Sequence, residues 1–187
     1  MDAFEQLVSE VLWSEGCWTQ TEVKVELTKE EKRLIGRPSA PRWELDVVGY
    51  APQTNALRII ECKSYLDSAG VVARDLMDPD SKGANRYKLF TDETLRTVVI
   101  HRLALQFTEM GACAPNPKIT LGLACGHFRS TADQDALKLH FDERGWELLD
   151  EAWIVSHLKT LANGGYTNKT SAVVAKLIYR KMKGVIS

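Results

Sequence analysis

Neither sign of charge prevails in this chain, and that absence narrows its function first. Twenty-four Lys and Arg stand against 25 Asp and Glu, for a net charge of −1 and a pI near 6.4. A protein that coats nucleic acid without regard to sequence draws its affinity from phosphate contacts and carries a basic surplus. Here any such contact has to come from a local patch, from a metal ion, or from a second copy or delivery partner that supplies the substrate. Long apolar runs are also missing. No stretch approaches the roughly 20 residues of a membrane-spanning helix, so no membrane role is expected. The start, Met1-Asp-Ala-Phe-Glu5, lacks the charged-then-apolar order of an export signal. Cysteine is scarce, and Cys17, Cys62, Cys113 and Cys125 form no C-x-x-C pair. Neither zinc spacing nor a disulfide framework is indicated, and a reducing, cytoplasmic setting is expected. No G-x-x-x-x-G-K-[ST] loop and no H-E-x-x-H helix occurs, which removes support for the usual nucleotide-cradling and zinc-hydrolase readings.

What is present is an ordinary globular composition, 44% hydrophobic and 26% charged. A single domain over residues 1–187 is the natural expectation for this length. Phe4, Leu7, Val8, Val11 and Leu12 fall at helical spacing, so Ala3 to Glu15 reads as an amphipathic helix with Gly16 at its end. Trp18 to Leu27 alternates as a strand, and Thr28-Lys-Glu-Glu31 has the form of a capping box opening a short helix. Trp43 to Tyr50 and Leu57 to Lys63 read as two strands joined by the short, turn-prone segment 51–56. Thr91 to Met110 reads as a long helix and Lys118 to Phe128 as an internal strand, giving a parallel β-α-β crossover. Thr131 to Arg144 reads as a helix with Thr131 as its cap, and Trp146 to Leu149 as a short strand. Asp150 to Leu161 and Thr170 to Lys183 form a C-terminal helical pair. Residues 66–89 mix Gly, Pro and charges and read as an insertion at the mouth of the site, a surface loop with some helix. The expected fold class is α/β, a central mixed sheet with helices on both faces.

The chemistry concentrates at Trp43-Glu-Leu-Asp46 and, fifteen residues on, Ile59-Ile-Glu61-Cys-Lys63. Alternate side chains of a strand share a face, so Glu61 and Lys63 project side by side after an apolar run. A hairpin brings Asp46 across from Glu61, close enough to share a divalent ion. Mg²⁺ takes carboxylate and water oxygens, so Asp46 and Glu61 are the expected metal ligands, with the backbone carbonyl of Cys62 as a third oxygen. Mn²⁺ would substitute. Lys63 would orient or deprotonate an attacking water, helped by a pKa lowered by burial near a cation. Glu44, on the same strand face, could assist.

This pattern resembles the PD-(D/E)XK nuclease superfamily, the restriction-endonuclease-like fold. Asp46, Glu61 and Lys63 match its Asp…(Asp/Glu)-x-Lys signature residue by residue, although Leu45 stands where the family's proline would be. Many members also carry a Glu in the first helix; Glu5 in Phe4-Glu-Gln-Leu-Val8 fits that place, with Glu10 the weaker candidate. The resembling core runs over about residues 2–127, with a helical extension over about 150–187. The resemblance implies a Mg²⁺-dependent nuclease acting on phosphodiester bonds, of DNA rather than RNA. Asp46, Glu61, Lys63 and Glu5 would form its catalytic set. The blander account has Glu61 and Lys63 as a cross-face ion pair worth little, and Glu5 as a first-turn acid complementing the helix dipole. The competing function is a catalytically idle module of the same fold that binds nucleic acid or protein.

Overall fold

A computed structural model describes residues 2–39, 42–165 and 167–185, with side-chain surroundings as far as Lys181. Five strands form one mixed sheet in the order of the sequence: β1 (Trp18–Val25), β2 (Trp43–Ala51), β3 (Ala56–Lys63), β4 (Lys118–Cys125) and β5 (Glu147–Leu149). β1, β2 and β3 pair antiparallel, and β4 and β5 continue in parallel. The change of sense falls at β3, whose exit from the sheet carries the Glu-x-Lys motif.

Each face of the sheet is closed by helices, and side-chain alternation decides which residues go where. On one face α1 (Ala3–Ser14) and α7 (Glu151–Asn163) bury Phe4, Val8, Leu12 and Ile154 against Val47, Ile60 and Ala124. On the other, α5 (Glu93–Glu109) and α6 (Thr131–Arg144) bury Leu95, Val99, Leu103, Leu137 and Phe141 against Leu57, Ile59, Leu121 and Leu123. The last helix, α8 (Thr170–Val185), packs on α7 and is tied to α1 where Ser171 donates to Glu10. Lys176 Nζ donates to the Gly164 and Gly165 carbonyls at 2.5 and 2.9 Å, serving the C-terminal end of α7. No helix among the described residues is long and apolar enough to cross a membrane.

Caps set the helix starts as local chemistry requires. Thr28 and Glu31 exchange hydrogen bonds in a complete capping box for α2 (Lys29–Leu34), and Asp150 Oδ1 accepts from Trp153 N at the head of α7. α6 is capped by Ser130, one residue before the expected Thr131. The Ser130 Oγ accepts from the Asp133 N–H at 3.1 Å, because Ser130 is the last residue still extended and so the one whose hydroxyl can fold back.

Residues 66–89 differ from the expected surface loop. They hold α3 (Ala73–Met77), a 3₁₀ turn at Ala84–Tyr87 and the start of α4 (Lys88–Thr91), and they bury Val71, Ala73, Leu76, Tyr87 and Leu89 in the main core. The backbone of Val71 pairs with Phe128 as an isolated parallel bridge. Asp133 Oδ1 accepts from Ala73 N at 2.8 Å, fixing the segment to α6. Gly70 permits the approach: it has φ +84°, and a Cβ there would lie 2.5 Å from the Phe128 carbonyl carbon. The buried residues follow no single period, so charge and glycine content concealed a packed segment.

Candidate active site

The site forms where the antiparallel pairing of β2 and β3 gives out. The ladder runs from Ala51–Ala56 to Val47–Ile60 and stops one rung short of Asp46 and Glu61. The strands part there because β2 is irregular at that residue. Leu45 packs in the cluster under α5 whereas Val47 packs in the cluster under α1, so the alternation breaks at Asp46. On the neighbouring strand Glu22 has φ +53°, and the β1–β2 register passes from Thr21–Val47 to Val23–Leu45 around it. An irregularity of this kind re-aims a side chain next to a site, as bulges do.

Asp46 is aimed by that kink at the end of β3. Its Oδ2 accepts from the Cys62 N–H at 2.7 Å and lies 3.9 Å from Lys63 Nζ. Lys63 Nζ donates to Glu61 Oε1 at 2.6 Å. Asp46 Oδ1 and Glu61 Oε2 accept no hydrogen bond among the described residues. Glu5 reaches the cluster from the first turn of α1, whose cap is Asp2. Its Oε2 is buried and has no hydrogen-bond partner among the described residues. Asp46 and Glu61 thus share the Lys63 ammonium, and Glu5 adds a third carboxylate within electrostatic reach of both.

The electrostatics follow from that imbalance. Burial raises the Glu5 carboxyl above the usual carboxylate range, and the neighbouring Asp46 raises it further. Burial also raises Glu61, with Lys63 opposing and Asp46 reinforcing the shift. The expected lowering of Lys63 belongs to burial beside a bound cation; the protein's own groups shift it upward. Burial alone would lower it, but the Glu61 carboxylate, the hydrogen bond to it and Asp46 outweigh burial and raise it. These two carboxylates hold the Lys63 ammonium by direct contact at 2.6 and 3.9 Å. The Cys62 thiol is pushed up by burial and by the surrounding carboxylates, so it is a neutral, inert neighbour that contributes through its backbone.

Two candidates fall outside the cluster. Glu10 Oε2 accepts from Ser171 N at 3.1 Å and from the Ser171 hydroxyl. Burial would raise Glu10, but these hydrogen bonds, that from Gln6 and the Lys169 charge bring it below its ordinary value. Glu10 holds α8, whereas Glu5 lies by Asp46. Glu44 is exposed and stands in register with Lys24 on the β1 side. Tyr65, not singled out from the sequence, lies close enough to Lys63 to act on its charge.

The donor set bears on which ion could be held. Among the described residues, no group of three or more His, Cys, Asp or Glu side chains is arranged to hold a metal ion. A zinc cage would need such a group. Mg²⁺ does not, since it commonly binds through one or two carboxylates and keeps several waters. Asp46 Oδ1, Glu61 Oε2 and the unpartnered Glu5 oxygen are the side-chain donors such an ion could take.

Removing one charge should expose this strain as a pH effect. A carboxyl whose folded pKa is raised binds its proton more tightly folded than unfolded. Its cost is absent below the unfolded pKa and fully present above the folded one. Metal-free Glu5→Gln is therefore expected to gain melting temperature over wild type at pH 8, with the gain shrinking steadily towards pH 4. A gain independent of pH would show that Glu5 carries no such strain.

Comparison with protein-family models, with the curated proteins and with the solved structures gives no match, so the chemistry of this cluster has to be read from its own residues.

Proposed function

We propose that the chain is a Mg²⁺-dependent nuclease of restriction-endonuclease-like fold that hydrolyses phosphodiester bonds, DNA being its substrate. The observation that carries this reading is the meeting of Asp46 and Glu61 at Lys63 at the end of β3, with Glu5 close to both carboxylates and one of its oxygens left unpaired. The residues fit the ion: Asp46 and Glu61 would hold it, with the Cys62 carbonyl as a further oxygen. When bound, it supplies Lewis acidity and neutralises charge at the scissile phosphate.

The chain's own groups do the rest. The Cys62 N–H holds one oxygen of Asp46 and so leaves the other for the ion. Glu61 holds Lys63 in place until substrate arrives. The Lys63 ammonium then orients the attacking water and stabilises the charge that builds on the phosphoryl oxygens. Glu5, with one oxygen unpartnered, accepts a hydrogen bond from the water or takes part in holding a second ion.

The idle-module reading draws on one observation, the 2.6 Å Lys63–Glu61 contact, which satisfies the ammonium without any substrate. Purified protein incubated with plasmid, linear duplex and single-stranded DNA separates the two. Cleavage is expected with Mg²⁺ or Mn²⁺ and none after exhaustive chelation, with Ca²⁺ supporting binding but not turnover. Full activity in chelator would sink the metal mechanism, and no turnover on any substrate with either ion would favour the idle module.

A further inference from the structure

Directly past Lys63 the chain makes a turn whose conformation is costly for the residue that occupies it. Tyr65 has φ +46°, in the left-handed region that bulky side chains avoid. The surroundings enforce it. On the entering side, Gly126 N donates to the Lys63 carbonyl at 3.2 Å, and a Cβ on Gly126 would come within 2.4 Å of the Ser64 carbonyl oxygen. The exit of β3 is thus pressed against the exit of β4. On the leaving side, Ser68 closes a turn by donating from both its N–H and its hydroxyl to the Tyr65 carbonyl. Glycine or asparagine would make this turn at lower cost. A tyrosine held there needs a reason in its side chain, and such outliers concentrate where function requires a fixed geometry.

The side chain has a second unusual feature. Its partly buried ring packs against the main core, and its hydroxyl meets that of Tyr87 at a long 3.5 Å. Tyr87 is 2% exposed and comes from the inserted segment that covers this end of the sheet. Burial pushes the Tyr87 phenol upward, as do Tyr65 and Asp75, so it remains a protonated donor. With Tyr87 donating to the Tyr65 oxygen, the Tyr65 proton is left to point elsewhere. Lys63, the last residue of β3, stands two residues before Tyr65, so the turn carries the tyrosine out beside the site.

We infer that the Tyr65 hydroxyl is a substrate-binding donor that hydrogen-bonds a phosphate oxygen of the nucleic-acid backbone beside Lys63, with Tyr87 as the positioning residue that orients it. This rests on the nuclease reading above. The inserted segment then serves the site by carrying Tyr87 in under the strained turn. A neutral donor also suits a site already crowded with carboxylates, since it adds phosphate affinity without an ion pair that Glu61 or Asp46 would capture.

The test uses fluorescein-labelled DNA, duplex or single-stranded according to which the wild type cleaves. Binding is read in Ca²⁺, kcat and KM in Mg²⁺, and melting temperature without DNA. Tyr65→Phe keeps the ring in the core and removes only the hydroxyl. It is expected to weaken binding roughly 10-fold, the scale of a hydrogen bond to a charged group, mainly through KM and with melting temperature nearly unchanged. Tyr87→Phe should shift binding in the same direction by less. A purely structural role would lower the melting temperature of both variants and leave affinity alone. If wild type cleaves and Tyr65→Phe binds and turns over like it, the inference is overturned while the nuclease reading stands. If wild type cleaves no substrate with either ion, both fall together.

Discussion

Asp46→Asn and Glu61→Gln are each expected to lower metal-dependent cleavage by more than about 100-fold, since even groups that only support a metal ligand are commonly worth 10- to 100-fold. The fold should survive both changes. Neither carboxylate lies in an apolar cluster, and each belongs to a group that carries more negative than positive charge. The clearest readout is the stabilisation of the protein by Mg²⁺, which for an ion bound only to the folded state grows with concentration over Kd. That stabilisation should shrink in both variants. An undiminished shift would move the ion elsewhere in the chain. Lys63→Ala differs in kind. An ammonium is not a ligand, so the Mg²⁺ shift should persist while single-turnover cleavage falls by about 100- to 1000-fold, the scale of one preorganised donor to a developing anion. The loss should sit in kcat, because the group acts mainly in the transition state. Equal single-turnover rates in folded wild type and Lys63→Ala would end the assignment of Lys63 as a catalytic group.

Arg58 should carry the largest stability effect outside the apolar core. It stands on β3 and reaches two elements far apart in sequence. Its Nη1 donates to Glu15 Oε2 at 2.6 Å just past the end of α1, and its Nε and Nη2 donate to Glu147 Oε2 on β5 at 2.8 and 2.6 Å. His157 of α7 also meets Glu15, at 2.9 Å. Burial alone would lower the guanidinium's pKa, but the two carboxylates more than restore it. Arg58→Met keeps much of the stem but leaves Glu15 and Glu147 without their shared cation. Removing one partner of a fully buried pair costs about 3–5 kcal/mol. The Arg58 side chain is 17% exposed and its partners 29% and 30%, so screening reduces the expected loss to about 2–3 kcal/mol. For a chain of this size that is roughly 5–10 °C in melting temperature. Arg74→Ala is the control. It breaks an ion pair with Asp78 whose side chains are 76% and 36% exposed, and should change stability by less than about 0.5 kcal/mol. Similar losses in the two variants would mean that the bridge between α1 and β5 contributes no more than a surface pair.

Local pattern made much of the scaffold legible. Phe4, Val8, Val11 and Leu12 are buried along α1 as their spacing requires, and the alternation of Leu57, Ile59 and Ile60 places β3 between two helical layers. The capping box at Thr28, the cap at Asp150 and the parallel step from β3 to β4 all follow from short-range chemistry or from the helix lying between the strands. The nearness of Glu61 to Lys63 was equally fixed by the strand's two-residue period. The short, turn-prone segment 51–56 made the antiparallel hairpin legible, and with it the arrival of Asp46 at the same end of the sheet.

Three matters were decided only by the tertiary structure. Glu5 and Glu10 sit on the same amphipathic helix, and the sequence offered both; the docking of α8 takes Glu10 through Ser171 and leaves Glu5 by Asp46. The inserted segment buries Leu76, Tyr87 and Leu89 in the core without any regular period, so composition suggested a loop. Which carboxylates meet Lys63 turns on distances of a few ångströms, 2.6 Å to Glu61 and 3.9 Å to Asp46. The physical reason is common to all three. Periodicity reports which face of an element is apolar, because each residue adds a fixed rotation along the chain. It does not report a kink such as the one at Asp46, or a left-handed turn such as the one at Tyr65, since those conformations are imposed by neighbours that the sequence keeps far away.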